Sequence, residues 1–252
     1  MSDILRLEHV TRRFGGLVVT DDLSLRVAVG ERRALIGPNG AGKTTLFNLI
    51  SGVLPVSSGQ IWLQDQNITA RPAAERAILG IGRTFQRNNL FAGLSVFENV
   101  CLAARRQQGL SSRVFRPAHR YAAVAEAAQG VLAQVGLLDR AGSIAGQLAY
   151  GQQRALEIAV ALAARPRLLL LDEPTSGMAP AETNQMIDLI ARLPPDLTLL
   201  IIEHDIDAVF RLANQITVLS FGSVLAEGAP DAVRQNAQVQ EIYLGLPLER
   251  AD

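Results

Sequence analysis

Four consecutive leucines, residues 168–171, are the most constraining segment of this chain. The run is far short of the roughly 18 residues a membrane span needs, and with no polar face it reads as a strand buried on both sides. Such a strand requires helices over each face of its sheet. Residues 33–36, 197–202 and 216–219 are further strand-like runs, separated by helical spacing at 43–51, 181–193 and 206–213. That alternation specifies an α/β core with a parallel sheet. The opening follows a different rule. Residues 4–10 and 23–29 alternate with period two around the turn signal Gly15-Gly16, and residues 60–63 add another strand. Residues 72–79 read as a short helix with proline in its first turn. From 87 to 164 alanine, glutamine and arginine dominate, which predicts helices around a loop at 109–117. The expected organisation is one domain of 252 residues, with a core of 1–86 and 165–252 interrupted by a helical subdomain at 87–164.

Composition removes several classes of function. Lys+Arg 24 balances Asp+Glu 24, which argues against nucleic acid as a ligand. A hydrophobic share of 48% supports a sizeable core and excludes a mostly disordered chain. Mean hydropathy is slightly positive, at +0.18, yet no apolar run is long enough to span a bilayer. The single cysteine, Cys101, excludes an internal disulfide framework; with no secretory leader in view, the expectation is a reducing, intracellular compartment. Every basic residue is arginine except one, Lys43.

That lysine sits in a nine-residue loop made of Gly37, Pro38, Asn39, Gly40, Ala41, Gly42, Lys43, Thr44 and Thr45. An apolar strand precedes the loop and a helix follows it, the context a phosphate loop needs. Glycines let the backbone fold tightly enough for several N–H groups to face phosphate oxygens, and the helix adds its positive end. Lys43 would reach the β- and γ-phosphates, and the Thr44 hydroxyl would ligate Mg²⁺. The leucine strand runs into Asp172 and Glu173. At its carboxyl end, where α/β sheets present ligands, Asp172 suits a carboxylate holding Mg²⁺ through water, and Glu173 suits the group that orients or deprotonates an attacking water.

In this order the motifs resemble the nucleotide-binding subunit of ATP-binding cassette (ABC) transporters over essentially the whole chain. LAYGQQ, residues 148–153, precedes Asp172 as the family's signature does; Gln86 follows a strand like the Q-loop glutamine; SGMAP, residues 176–180, occupies the D-loop position; His204 follows a strand like the switch histidine; and Phe14 stands where an aromatic ring stacks on adenine. The resemblance implies a P-loop NTPase fold with a parallel sheet, an antiparallel β subdomain and an inserted helical subdomain, using ATP and Mg²⁺. It implies that Gln86 senses Mg²⁺ and γ-phosphate, and that His204 holds the γ-phosphate. Ala149, Tyr150, Gly151 and Gln152 would cap the nucleotide of a second ATPase subunit. Phe14 could equally serve the core, and a structural histidine is the plainer reading of His204 taken alone. His9 and His119 match no motif and read as ordinary residues.

Two departures stand out. Ala149 and Tyr150 replace the serine and a glycine of the common LSGGQ, and Ala179 replaces the D-loop Asp or Asn. Both losses fall on the half-site offered to the partner, which leads to the expectation of an asymmetric heterodimer, with a homodimer the alternative. The stretches LAYGQQRALEIA, IGRTFQRNNLFAGLSVFENV and EIYLG resemble the first ATPase subunit of branched-chain amino acid importers, the LivG type, in which the Ala–Tyr variant also occurs. That implies two permeases, a periplasmic substrate-binding protein and a peripheral place on the cytoplasmic face of the inner membrane. A lipopolysaccharide-export ATPase is the nearest alternative, although its signature resembles LSGGE; non-transport ABC ATPases and soluble P-loop kinases fit the motifs less well.

Overall fold

The computed structural model describes residues 2–85, 89–107 and 122–244. The chain divides into two compact units, one of residues 1–76 with 195–252 and one of residues 77–194.

The first unit holds two sheets. Strands β1 (Asp3–Phe14) and β2 (Leu17–Ala28) form an antiparallel hairpin, and β1 also pairs antiparallel with β4 (Ser58–Leu63), which pairs with β5 (Gln66–Asn67). Leu5, Leu7, Val10, Leu25, Val27 and Ile61 are buried along these strands. Both long strands outrun the alternating stretches of the sequence. Register shifts between Leu7 and Val10, and again between Val10 and Arg12, interrupt the period of two while pairing continues.

The second sheet of this unit has the order β10-β9-β3-β8. In it β3 (Arg32–Ile36) lies parallel to β8 (Thr198–Ile202) and β9 (Gln215–Ser220), with β10 (Ser223–Gly228) antiparallel at the edge. The middle strands are buried along nearly their whole length, as continuous apolar runs require. Around them lie α1 (Lys43–Ser51), α7 (Ile206–Leu212), α8 (Pro230–Arg234) and α9 (Ala237–Leu244). Ala34, Ile36, Val209, Ile216, Val218, Val233 and Val239 make one core cluster. Arg76, in α2 (Ala73–Leu79), donates to Leu49 O at 2.6 Å and Ile50 O at 2.9 Å, placing a cation on carbonyls at the end of α1.

In the second unit β6 (Ile81–Arg83) lies parallel to β7 (Leu168–Asp172). Helices α3 (Val96–Gln107), α4 (Ala122–Gln134) and α5 (Tyr150–Ala163) pack together, and α6 (Pro180–Ala191) follows the carboxylate pair. Val96, Val100 and Ala104 on α3, and Val124, Ala128 and Leu132 on α4, are buried at helical spacing. The helices expected within 87–164 are therefore present. Cys101 is buried, and burial pushes its thiol up to about 11, so it is inert as a nucleophile. The loop expected at 109–117 and His119 lie outside the described residues. No helix among the described residues is long and apolar enough to cross a membrane.

Candidate nucleotide site

The phosphate loop belongs to the first unit. Strand β3 carries the chain to Gly37, whose φ of 154° and position leave no room for a side chain: a Cβ there would lie 2.3 Å from Leu219 O. Gly42 is equally restricted, with φ 99° and Val19 O 2.7 Å from where its Cβ would be. The two glycines thus fit the loop against its neighbours while bringing Lys43 to the first position of α1. Lys43 is only 6% exposed, and its ammonium donates to Gly37 O at 2.6 Å and Pro38 O at 3.0 Å. The single lysine is held across the loop. Pro38, Asn39, Gly40 and Thr44 are exposed, Thr45 is half-buried and Ala41 is buried. No side chain caps the amino end of α1, and no acid lies in its first turn, so its N–H groups keep their positive end for an anion.

His204 follows β8 and is exposed; its backbone N–H donates to the carboxylate of Glu203, a buried neighbour the sequence did not single out. Phe14, at the end of β1, is 43% exposed and therefore not a core residue. The Arg12 guanidinium lies 4.5 Å from its ring centroid and donates to Pro55 O at 3.0 Å. One face of the ring is backed by an anchored cation, an arrangement that fixes the ring's orientation.

The carboxylates belong to the second unit. Asp172 ends β7 and is 1% exposed. Its Oδ2 accepts from Arg83 Nη2 at 3.0 Å, and its backbone N–H donates to Thr84 Oγ1 at 3.3 Å. Burial pushes the Asp172 carboxyl up; Arg83 opposes that shift and Glu173 adds to it. Its other oxygen, Oδ1, is buried with no hydrogen-bond partner among the described residues. A buried acceptor of this kind suits a water bound to a divalent cation, so the donor set fits Mg²⁺. Glu173, half-buried, has φ 50°. A left-handed conformation at a non-glycine costs about 1–3 kcal/mol and is concentrated at functional sites. Nothing in the sequence signals it.

The signature begins α5. Ala149 is the residue before the helix, and its N–H donates to the Gln152 side chain at 3.3 Å, half of a capping box, since a methyl group cannot return the bond. Tyr150 donates its hydroxyl to Ser176 O in the D-loop segment at 3.1 Å and accepts from Arg154 Nε at 3.2 Å. Gly151 lies near Glu182, and Gly177 lies near the Tyr150 ring. Arg154 also donates to Phe85 O at 2.7 Å and to Glu157 at 3.0 Å, while Glu157 accepts from Asn89 N at 3.1 Å. Arg154 and Glu157 therefore grip the chain on each side of Gln86, which itself lies outside the described residues. This clamp was not foreseen, although an Arg and a Glu three apart on an apolar helix offered a signal.

A glycine-shaped loop around a buried lysine, and an all-apolar strand ending in a buried aspartate, define a P-loop nucleotide-binding protein. The ABC transporter family model matches residues 20–176, and the chain belongs to that family as one of its ATPase subunits. A second model, of the branched-chain amino acid ATP-binding cassette transporter, matches residues 223–246. The chain is similar to the high-affinity branched-chain amino acid transport ATP-binding protein LivG of Escherichia coli (strain K12), 39% identical over 96% of this chain and 98% of the relative. It is 34% identical to the lipopolysaccharide export ATP-binding protein LptB of Acidithiobacillus ferridurans, over 97% of this chain and 98% of that one. Among solved structures, an ABC transporter cassette in its ADP conformation superposes with a TM-score of 0.85 at 32% identity, covering 98% of this chain and all of the other. As a member of this family the chain binds nucleotide.

Proposed function

We propose that this chain is the ATP-hydrolysing subunit of an importer of branched-chain or related amino acids, peripheral on the cytoplasmic face of the membrane. The end-to-end likeness to LivG carries the reading. In it, the chain pairs with a homologous second ATPase subunit and serves two permeases and a periplasmic substrate-binding protein.

Residues 37–45 surround the triphosphate, and Lys43 leaves its loop carbonyls for phosphate oxygens. Phe14 offers its free ring face to adenine. Thr44, Asp172 and Gln86 would hold Mg²⁺, which when bound neutralises charge developing on the phosphates. Glu173 takes a proton from the attacking water, and His204 orients the γ-phosphate. Ala149, Tyr150, Gly151 and Gln152 close over the nucleotide of the partner, so that positioning and water exclusion do most of the catalysis. Residues 87–164 act as the helical arm toward the permeases.

The test is uptake of radiolabelled leucine in cells whose own copy of this gene carries Glu173→Gln. Uptake is expected to fall to background while the purified variant still binds ATP. Undiminished uptake of leucine, isoleucine and valine would refute the substrate assignment; wild-type hydrolysis by the purified variant would refute the base.

A further inference from the structure

Arg83 lies in the stretch that begins IGRTFQ but is given no role there, yet its guanidinium lies against the carboxylate that ends β7. Nη2 and Asp172 Oδ2 are 3.0 Å apart, with the two side chains 7% and 1% exposed. The placement is enforced by the strands: Arg83 is paired with Leu170 in the parallel ladder, Thr84 N donates to Leu170 O, and Thr84 Oγ1 accepts from Asp172 N. The Phe85 ring, 5.0 Å from the guanidinium, backs it. A carboxylate this buried requires a counter-charge, because an uncompensated buried anion is strongly destabilising. Arg83 supplies that charge.

We propose that Arg83 is a positioning residue that holds Asp172 through Oδ2 while the nucleotide site is empty, and that a divalent cation arriving with nucleotide must compete with its charge for the same carboxylate through Oδ1. The inference rests on the reading of Asp172 as the magnesium-side carboxylate. A guanidinium and a divalent cation on the same carboxylate repel one another, so each weakens the other's hold. Arg83 thereby keeps the subunit folded without metal, and sets how much magnesium is needed to load it.

The experiment is calorimetric titration of Mg²⁺ into the full-length protein saturated with ADP, so that no turnover is involved. Arg83→Met should bind Mg²⁺ more tightly than wild type, by about tenfold, and its thermal midpoint without metal should fall and recover on adding Mg²⁺. Arg83→Gln, which keeps a donor near Oδ2 but not the charge, covers the case in which the methionine variant does not fold, and should shift affinity in the same direction. Unchanged or weaker Mg²⁺ affinity in the folded variant overturns the proposal. Asp172→Asn separates the two layers. If it leaves Mg²⁺ affinity untouched, the reading of Asp172 itself fails; if it weakens affinity while Arg83→Gln does not tighten it, only the role of Arg83 fails.

Discussion

The Arg154–Glu157 pair on α5 gives a quantitative test of what keeps Phe85 and Asn89 against that helix. Both side chains are 6% exposed, so solvent screens their 3.0 Å contact little. Replacing Arg154 with methionine keeps the bulk of the stem and leaves Glu157 buried as a lone anion, at a cost of about 3–5 kcal/mol. That is a large share of the roughly 5–15 kcal/mol that stabilises a domain. The double variant Arg154→Met/Glu157→Leu removes both charges; what remains is the loss of partners for Phe85 O and Asn89 N, about 1–3 kcal/mol for each group that stays buried. The double variant should therefore be no less stable than the single one. The pH dependence has a definite sign. Burial already pushes the Glu157 carboxyl up, with Arg154 opposing that shift; without Arg154 it rises further. A raised carboxyl contributes stability that is present at low pH and lost as pH rises through the folded value. The gap between Arg154→Met and wild type should accordingly be full at pH 8 and shrink toward pH 5, as Glu157 takes up a proton. Urea unfolding followed by circular dichroism at both pH values measures it. A gap independent of pH, or a double variant clearly weaker than the single, would refute the buried-anion account.

Lys43→Ala removes the charge that faces the loop carbonyls and should weaken ATP binding at least about tenfold, read with a fluorescent nucleotide, while circular dichroism shows an unchanged fold. Phe14→Ala should weaken ATP by about five- to a hundredfold, the range for loss of one base–aromatic stack; inorganic tripolyphosphate, which has no base, should bind equally to both proteins. Glu173→Gly relieves the left-handed backbone at φ 50° and should leave the unfolding midpoint unchanged or higher while abolishing hydrolysis. A midpoint lowered by several degrees would show that the Glu173 side chain stabilises more than the strain costs.

The sequence conveyed the parallel strands and the phosphate loop clearly, because both are local signals. Residues 168–171 carry no polar face, and helix α1 begins at the lysine and ends at Ser51, as its spacing predicts. Elements with weak periodicity were harder to read. β10 is a partly exposed edge strand, β5 is two residues long, and α8 is a five-residue helix started by Pro230. The chemistry divides in the same way. Lys43, Asp172 and Glu173 stood out by position in their motifs. The Arg83–Asp172 pair joins residues far apart in sequence, through a strand register that no single stretch encodes. The backbone of Glu173 was equally hidden, since a positive φ at a non-glycine arises from its surroundings rather than from its own preference.

The two alanines that depart from family pattern occupy equivalent places, each just before a helix, and one carboxylate, Glu182, lies beside both helix starts. Ala149 precedes α5, whose first turn contains no acid and whose Gln152 reaches back to the Ala149 N–H. Ala179 precedes α6, where Glu182 makes the same reach to the Ala179 N–H. Neither alanine can accept from the N–H groups of its helix, as serine, asparagine or aspartate would. At α5 the reaching side chain is neutral, but the Glu182 carboxylate lies against Gly151 in the first turn and offsets the positive end of that helix. At α6 the same carboxylate accepts directly from the Ala179 N–H. Alanine at 149 thus lacks a hydroxyl donor at a helix start that already has a carboxylate beside it. Tyr150, whose hydroxyl is bonded to Ser176 O, ties the start of α5 to the D-loop segment through a side chain that glycine could not supply. The variant segment is consequently a helix start braced by Tyr150 on the D-loop side and faced by Glu182 at Gly151.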